Sequence, residues 1–283
     1  MFANVFGVDF SGAKLAGRNT WIARLERLSE GTTSPSHRLV ELASLERLGG
    51  VADREPALAH LVDLIAGSSD SLWALDFPFG LPIEVHGTGK SRSGTFEWVE
   101  SWEGDAYALG LECLDRARGL GGPNHIRRLT DQEMKTPFDC YHYRIIYQTF
   151  HGIKQVLGPL RKLKQTAILP FQYRRLPTAK RVLVEACPAS TLKRLGLCHQ
   201  NYKQAQGGPL TVLRRRNRRS IIDGLRHSVL IDERERRVMM RNPGADALDA
   251  LIAAVGGVQA WAACDHASVS PHPRYPREGR IYA

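Results

Sequence analysis

The chain has 283 residues, 43% hydrophobic and 24% charged, an ordinary globular composition long enough for one large α/β domain or two modest ones. Five scattered cysteines without a CxxC pair argue against a disulfide framework or a cysteine-held zinc, and no apolar run is long enough to cross a bilayer. The net charge of +10, from 39 Lys and Arg against 29 Asp and Glu, favours polyanionic partners, nucleic acid above all.

The opening MFANVFGVDF has no basic leader ahead of its apolar segment, so no signal peptide is expected and the protein is read as cytoplasmic. NVFGVDF, rich in Val and Phe, predicts a buried strand. After the SGAKLAGRN turn, TWIARLERL and HRLVELASL predict two more strands. PALAHLVDLIAG has its apolar residues at helical spacing, and SLWALDF predicts a fourth strand. FPFGLPIEVHGTGKSRSG is loop-like and FEWVESWEGDAYALGLECLDRARG helical. Residues 84–136 therefore read as a loop and helical subdomain inserted in a single domain spanning 1–283.

CYHYRIIYQTFHGIKQVLGPLRKL predicts a long helix, and RVLVEACP returns to strand. STLKRLG is a short helix, PLTVLRRRNRRSIIDGLRH a basic one, and GADALDALIAAVGGVQAWAA an alanine-rich apolar one. Strands alternating with helices after an opening meander predict a mixed sheet with helices on both faces.

Three of these strands end on acids: Asp9, Asp76 and Glu185. In open α/β sheets, sites form beyond the carboxyl ends of the strands, so parallel neighbours would bring these acids together. Asp246 and Asp249 add a D-x-x-D pair on one face of the last helix. Clustered carboxylates repel one another, and Mg²⁺ or Mn²⁺, which take oxygen ligands, relieve that repulsion. Two such ions about 4 Å apart can activate an attacking water and stabilise the leaving oxygen of a phosphodiester. The expected ligands are Asp9, Asp76, Asp246 and Asp249, with Glu185 as a further ligand, a supporting group, or the partner of Lys14 or an arginine. Lys14 would neutralise the scissile phosphate or balance Asp9.

Each of these residues also has a plainer use. Asp9 could cap the SGAK loop, Asp76 could be a turn acid before Phe77-Pro78, and Asp246 could simply complement the helix dipole. Asp249, inside the apolar DALDALIAA, is the acid that most needs a reason. Arg214, Arg215, Arg216, Arg218 and Arg219 form the densest basic run, either a solvated helix face or a nucleic-acid surface. Arg144, among Tyr141, Tyr143, Tyr147 and Phe150, belongs to a core stripe or to a base-stacking surface.

The stretches GVDFSGAK, LDFPFGLP, KTPF, VEACPAS and GADALDAL together resemble the family catalogued as domain of unknown function 429, predicted nucleases of the ribonuclease-H-like superfamily. The resemblance spans nearly the whole chain. It implies a mixed sheet of five strands, with the first, fourth and fifth parallel at its centre and a helical insertion after the fourth. Acids on the first strand, the fourth strand and the final helix map onto Asp9, Asp76 and Asp246 or Asp249, most like the Holliday-junction resolvases. Asp63 is all that the first long helix offers where ribonuclease H carries a glutamate.

The expected function is thus metal-dependent hydrolysis of nucleic acid. Resolvase-like action on a junction would call for a homodimer with two-fold symmetry. Two alternatives compete. Asp9 followed by Ser11-Gly12 also opens the actin-like ATPases, whose loop cradles phosphates, although no second D-x-G-[GT] loop follows Leu75 or Leu183. A nucleic-acid-binding protein of the same fold without catalysis is the other.

Overall fold

Seven strands form a mixed sheet in the computed structural model, which describes residues 2–28, 35–87, 94–204 and 207–283. They are β1 (Asn4–Asp9), β2 (Trp21–Arg27), β3 (His37–Ser44), β4 (Ser71–Asp76), β5 (Thr166–Ile168), β6 (Arg181–Glu185) and β7 (Val229–Leu230). The spatial order is β5-β6-β4-β1-β2-β3-β7. β2 runs antiparallel to both its neighbours, and every other pairing is parallel.

The α/β class and the five longer strands agree with the sequence reading, but the expected count of five does not. β5 and β7 add an edge strand on each side. With three and two residues they are too short to display the period of two by which strands are recognised. The long helix expected from Cys140 begins only at Ile146, because Cys140 turns back and its carbonyl accepts the Thr149 hydroxyl at 2.6 Å. The stretch from Phe96 forms two helices, Thr95–Ser101 and Ala106–Gly119, the second capped by Asp105 Oδ1 accepting from Ala108 N. A further helix at Glu233–Arg241 had not been expected. Part of the loop-like segment, residues 88–93, lies outside the described residues. Among the described residues, no helix is long and apolar enough to cross a membrane.

The sheet divides the core in two. On one face Val8, Leu75 and Leu183 pack with the helix Arg54–Gly67 and with Val85, Phe96, Val99 and Leu109 from between β4 and β5. On the other face Val5, Leu72, Ala74 and Val184 pack against the helix Asp246–Ala263. That helix sits unusually close to β1. A Cβ on Gly7 would lie 2.0 Å from the Ala250 carbonyl oxygen and 2.3 Å from Ala254 N. Gly257 repeats the device, since a Cβ there would come within 2.5 Å of the Ala74 Cβ. Small residues on both surfaces let backbone meet backbone, which fixes how far along β1 the helix begins.

Gly7→Ala forces apart two backbones, so it should cost about 3 kcal/mol or more by overpacking. Urea unfolding followed by circular dichroism reads this directly, and an unchanged midpoint would mean that the helix is not seated on β1.

Candidate active site

Sheet register decides which strand-end acids share a site. Asp9 pairs with Asp76 across the parallel β1–β4 ladder, so the two residues are level on adjacent strands, whose backbones run about 4.8 Å from each other. Because side chains alternate along a strand, Asp9 shares the face of Val5 and Gly7, and Asp76 that of Leu72 and Ala74. This is the face covered by the helix Asp246–Ala263.

Glu185 pairs with Leu75, one residue short of Asp76, and falls to the opposite alternation. There Arg128 takes it up. Arg128 Nη2 donates to Oε1 at 2.5 Å and Nη1 to Oε2 at 2.8 Å, while Phe79 N donates to Oε2 at 2.9 Å. Arg128 is fully buried and also holds both oxygens of Asp131. Of the roles expected for Glu185, pairing with an arginine is the one found, and its oxygens are spent on it. Lys14 is exposed, outside the cavity described below and not paired to Glu185.

The helix contributes the remaining acids. Asp249 is fully buried, and its Oδ1 accepts the Tyr202 hydroxyl at 2.9 Å. Its Oδ2 finds no hydrogen-bond donor of ordinary geometry and sits against the ammonium of Lys203 in an ion pair. Asp246, half-buried in the first turn, accepts from Asn242 Nδ2 at 3.3 Å. Sequence reasoning missed both Tyr202 and Lys203. In the polar stretch HQNYKQAQGG, a lysine carries no signal that separates it from any surface lysine.

The electrostatics follow from this crowding. Burial, then the charge of Asp249, pushes the Asp9 carboxyl well above its usual range, with Asp246 and Asp76 adding and Lys203 opposing. Burial also raises Asp76, to about 7, with Lys203 opposing and Asp249 and Glu185 adding. Asp246 is raised too, mainly by burial. Burial alone would lower the Lys203 ammonium, but Asp249, Tyr202 and Asp9 outweigh it and hold the charge well above the ordinary lysine value. Lys203 is thus the cation that the acids share.

Among the described residues, no three His, Cys, Asp or Glu side chains lie close enough together to hold a metal ion. The donor chemistry nevertheless suits a hard divalent cation. All the ligands on offer are carboxylate oxygens, and the charge that now neutralises them is the ammonium of Lys203 on Asp249 Oδ2.

Asp9 and Asp76 open onto a cavity of about 870 Å³, which Tyr202 and Lys203 also line. Arg144 and Arg214 reach it from two different segments, as Phe77, Pro137 and Phe138 supply apolar wall. Tyr141 and Phe150 are core residues, whereas Tyr143 and Tyr147 are exposed. The arginine run is not one surface. Arg218 is fully buried and gives its protons to four carbonyls: Tyr202 at 2.6 Å, Met239 at 3.0 Å, Asn242 at 2.5 Å and Pro243 at 2.6 Å. It cannot reach nucleic acid, contrary to expectation, and instead ties the Tyr202–Lys203 segment to the turn before Asp246. Arg215, Arg216 and Arg219 are exposed and do not line this cavity. The SGAK loop is packed as well: a Cβ on Gly12 would lie 2.3 Å from the Tyr147 carbonyl oxygen.

Fold and site together define an α/β protein with a mixed sheet and an acid cluster, buried at Asp249 and half-buried at Asp9, Asp76 and Asp246, beyond the carboxyl ends of its two central parallel strands. Comparison with protein families, curated proteins and solved structures finds no match for this chain.

Two expectations test this description. Glu185→Ala leaves Arg128 buried with one of its two acids gone, so it should cost about 3–5 kcal/mol in urea unfolding; a loss below about 1 kcal/mol would make the pair dispensable. The second concerns pH. Below an aspartate's ordinary value near 4, Asp76 is protonated in both folded and unfolded chains. As pH rises from about 4 toward 7, the unfolded chain releases that proton and the folded chain keeps it, so stability falls. Asp76→Asn removes this part of the fall, and its advantage over wild type should grow across that window and level off above it. A constant difference would make Asp76 an ordinary surface acid.

Proposed function

We propose that the chain is a divalent-metal-dependent nuclease of ribonuclease-H-like build that hydrolyses phosphodiester bonds in nucleic acid. The observation that carries this reading is the acid corner. Asp9 and Asp76 are level on adjacent parallel strands, and Asp246 and Asp249 come from the helix seated on the same face. Charges so arranged cost stability and are kept where chemistry needs them. The resemblance implies that the first, fourth and fifth strands are parallel at the centre; β1, β4 and β6 are adjacent and parallel, in a sheet of seven strands and not five.

The five stretches carrying that resemblance also meet at this corner. GVDFSGAK, LDFPFGLP, KTPF and VEACPAS each put residues into the wall of the large cavity. GADALDAL supplies Asp249, which Tyr202 and Lys203 join to it.

Mg²⁺ or Mn²⁺ would be held by Asp9, Asp76, Asp246 and Asp249. When bound, it would supply Lewis-acid polarisation of the phosphate and make water a better nucleophile. The chain's own residues do the rest. Tyr202 fixes the Asp249 carboxylate by its hydrogen bond. Lys203 neutralises the acids and lines the cavity, so with a divalent ion on the carboxylates its ammonium would be available to a phosphate there. Arg144 and Arg214 hold flanking phosphates there. Since Asp76 is raised to about 7 and Asp9 is raised as well, a divalent ion would compete with protons at these acids and its binding would tighten as pH rises.

Calorimetric titration with Mn²⁺ tests the reading. Wild type should bind, Asp9→Asn with Asp249→Asn should weaken binding by about 100-fold or more, and Lys203→Met should bind more tightly than wild type. Oligonucleotide cleavage should follow the same acids. A folded wild type that takes up no Mn²⁺ sinks the mechanism. Metal-free, salt-sensitive binding of nucleic acid without cleavage would point instead to a binding protein of the same fold.

A further inference from the structure

The arginine-rich helix Val212–Leu225 divides its cations among three places. Arg214 faces the large cavity, and Arg218 is buried in the core. Arg215 and Arg219, one turn apart, face a second cavity of about 420 Å³. Its other wall is the helix Glu233–Arg241, which adds Arg236, Arg237 and Arg241. Five arginines therefore line one small cavity with Glu233 as the acid among them. Glu233 is engaged by Arg236 at 3.3 Å, and its carbonyl by Arg237 Nε at 3.2 Å. Arg215, Arg219 and Arg241 have no ion pair among the described residues. So many like charges in one concavity repel each other, and a polyanion is the natural counter-charge.

The two cavities are neighbours along the chain. Residues 199–203 line the first and 208–210 the second, and the consecutive Arg214 and Arg215 face one each. We infer that the second cavity is a phosphate-backbone site that holds a polynucleotide strand leading away from the acid corner, so the substrate is a polymer and not a mononucleotide. The inference rests on the nuclease reading for the strand's destination; the cation-lined cavity stands without it. Guanidinium groups pair bidentately with phosphate oxygens, and the cavity holds no aromatic ring among its lining residues on which a base would stack, so backbone is read and sequence is not.

The test is a triple substitution, Arg215→Gln, Arg219→Gln and Arg241→Gln, at exposed residues whose loss breaks no ion pair. The control is Arg38→Gln, Arg47→Gln and Arg226→Gln, equally exposed, lining neither cavity and equal in net charge. Fluorescence anisotropy would follow single-stranded oligonucleotides of about 4 and about 20 nucleotides, between about 50 and about 200 mM salt. The triple variant should bind the long strand at least about tenfold more weakly, with a salt slope shallower by about 2, three contacts at about 0.7 each. Its affinity for the short strand and for Mn²⁺ should match wild type, and the control variant should behave as wild type throughout.

Equal weakening in the control, or equal weakening on the short strand, would reduce the effect to net charge and overturn the site. Heparin lost in parallel with the long strand would make it a general polyanion patch and overturn the nucleic-acid assignment. If the triple variant weakens long-strand binding as expected while wild type takes up no Mn²⁺, the backbone site stands and the nuclease reading falls.

Discussion

Everything at the acid corner is measured from one contact, the seat of the helix Asp246–Ala263 on β1. Gly7 meets Ala250 and Ala254 backbone to backbone, a distance that admits no side chain. Asp249 immediately precedes Ala250, and Asp9 lies two residues beyond Gly7 on the same face of its strand. The contact therefore brings the two carboxylates together without any bond between them. Their repulsion is carried by packing elsewhere, chiefly by the apolar length of the helix, buried from Ala247 to Gly257.

Two buried arginines then finish the arrangement in different ways. Arg128 neutralises carboxylates, Asp131 and Glu185, the second of which lines the same cavity as Asp9 and Asp76 from the opposite alternation of its strand. Arg218 neutralises nothing directly. It collects four carbonyls, two of them flanking the turn before Asp246 and one on Tyr202. A guanidinium suits this because its fixed fork of donors can satisfy several acceptors at once, which an ammonium on a flexible stem does less well. The segment bearing Lys203 and the start of the helix bearing Asp249 are thus held by the same side chain, and their ion pair is prepared before any ligand arrives.

Much of this was legible in the sequence. Strand-ending acids after VFGV and LWAL, and an aspartate inside an alanine-rich helix, are departures from apolar patterning that needed a use, and the structure brings those residues to one corner. What patterning could not supply was register. Glu185 ends its strand just as Asp76 does, and a one-residue offset in the ladder gives it to Arg128. The arginine run shows the same limit, since RRRNRR reads as one patch until the helix is packed, when it becomes a cavity wall, a core latch and an outer groove. Lys203 lay beyond sequence reasoning altogether, as a surface-like lysine whose role exists through a neighbour 46 residues later. β5 and β7 escaped because strands of three and two residues have no pattern to read.

The anchoring of the segment between β4 and β5 carries a consequence for how the molecule assembles. Arg128 joins Asp131 to Glu185 and to the Glu278 carbonyl, and Arg274 joins Glu278 to Glu84, 190 residues away in the chain. The bonds of Arg128 to the Glu278 carbonyl and of Arg274 to Glu84 close loops of 150 and 190 residues, longer than the one closed by pairing Ser71 with Arg181 in the central strands, and such closures come late because their entropy must be overcome first. On a ribosome, β1 to β4 and this segment emerge well before residues 274–278. The segment must therefore wait with its ties to residues 274–278 open, while Phe96, Val99 and Leu109 already have the sheet to cover. The order of synthesis thus makes the ties from this segment to residues 274–278 late ones.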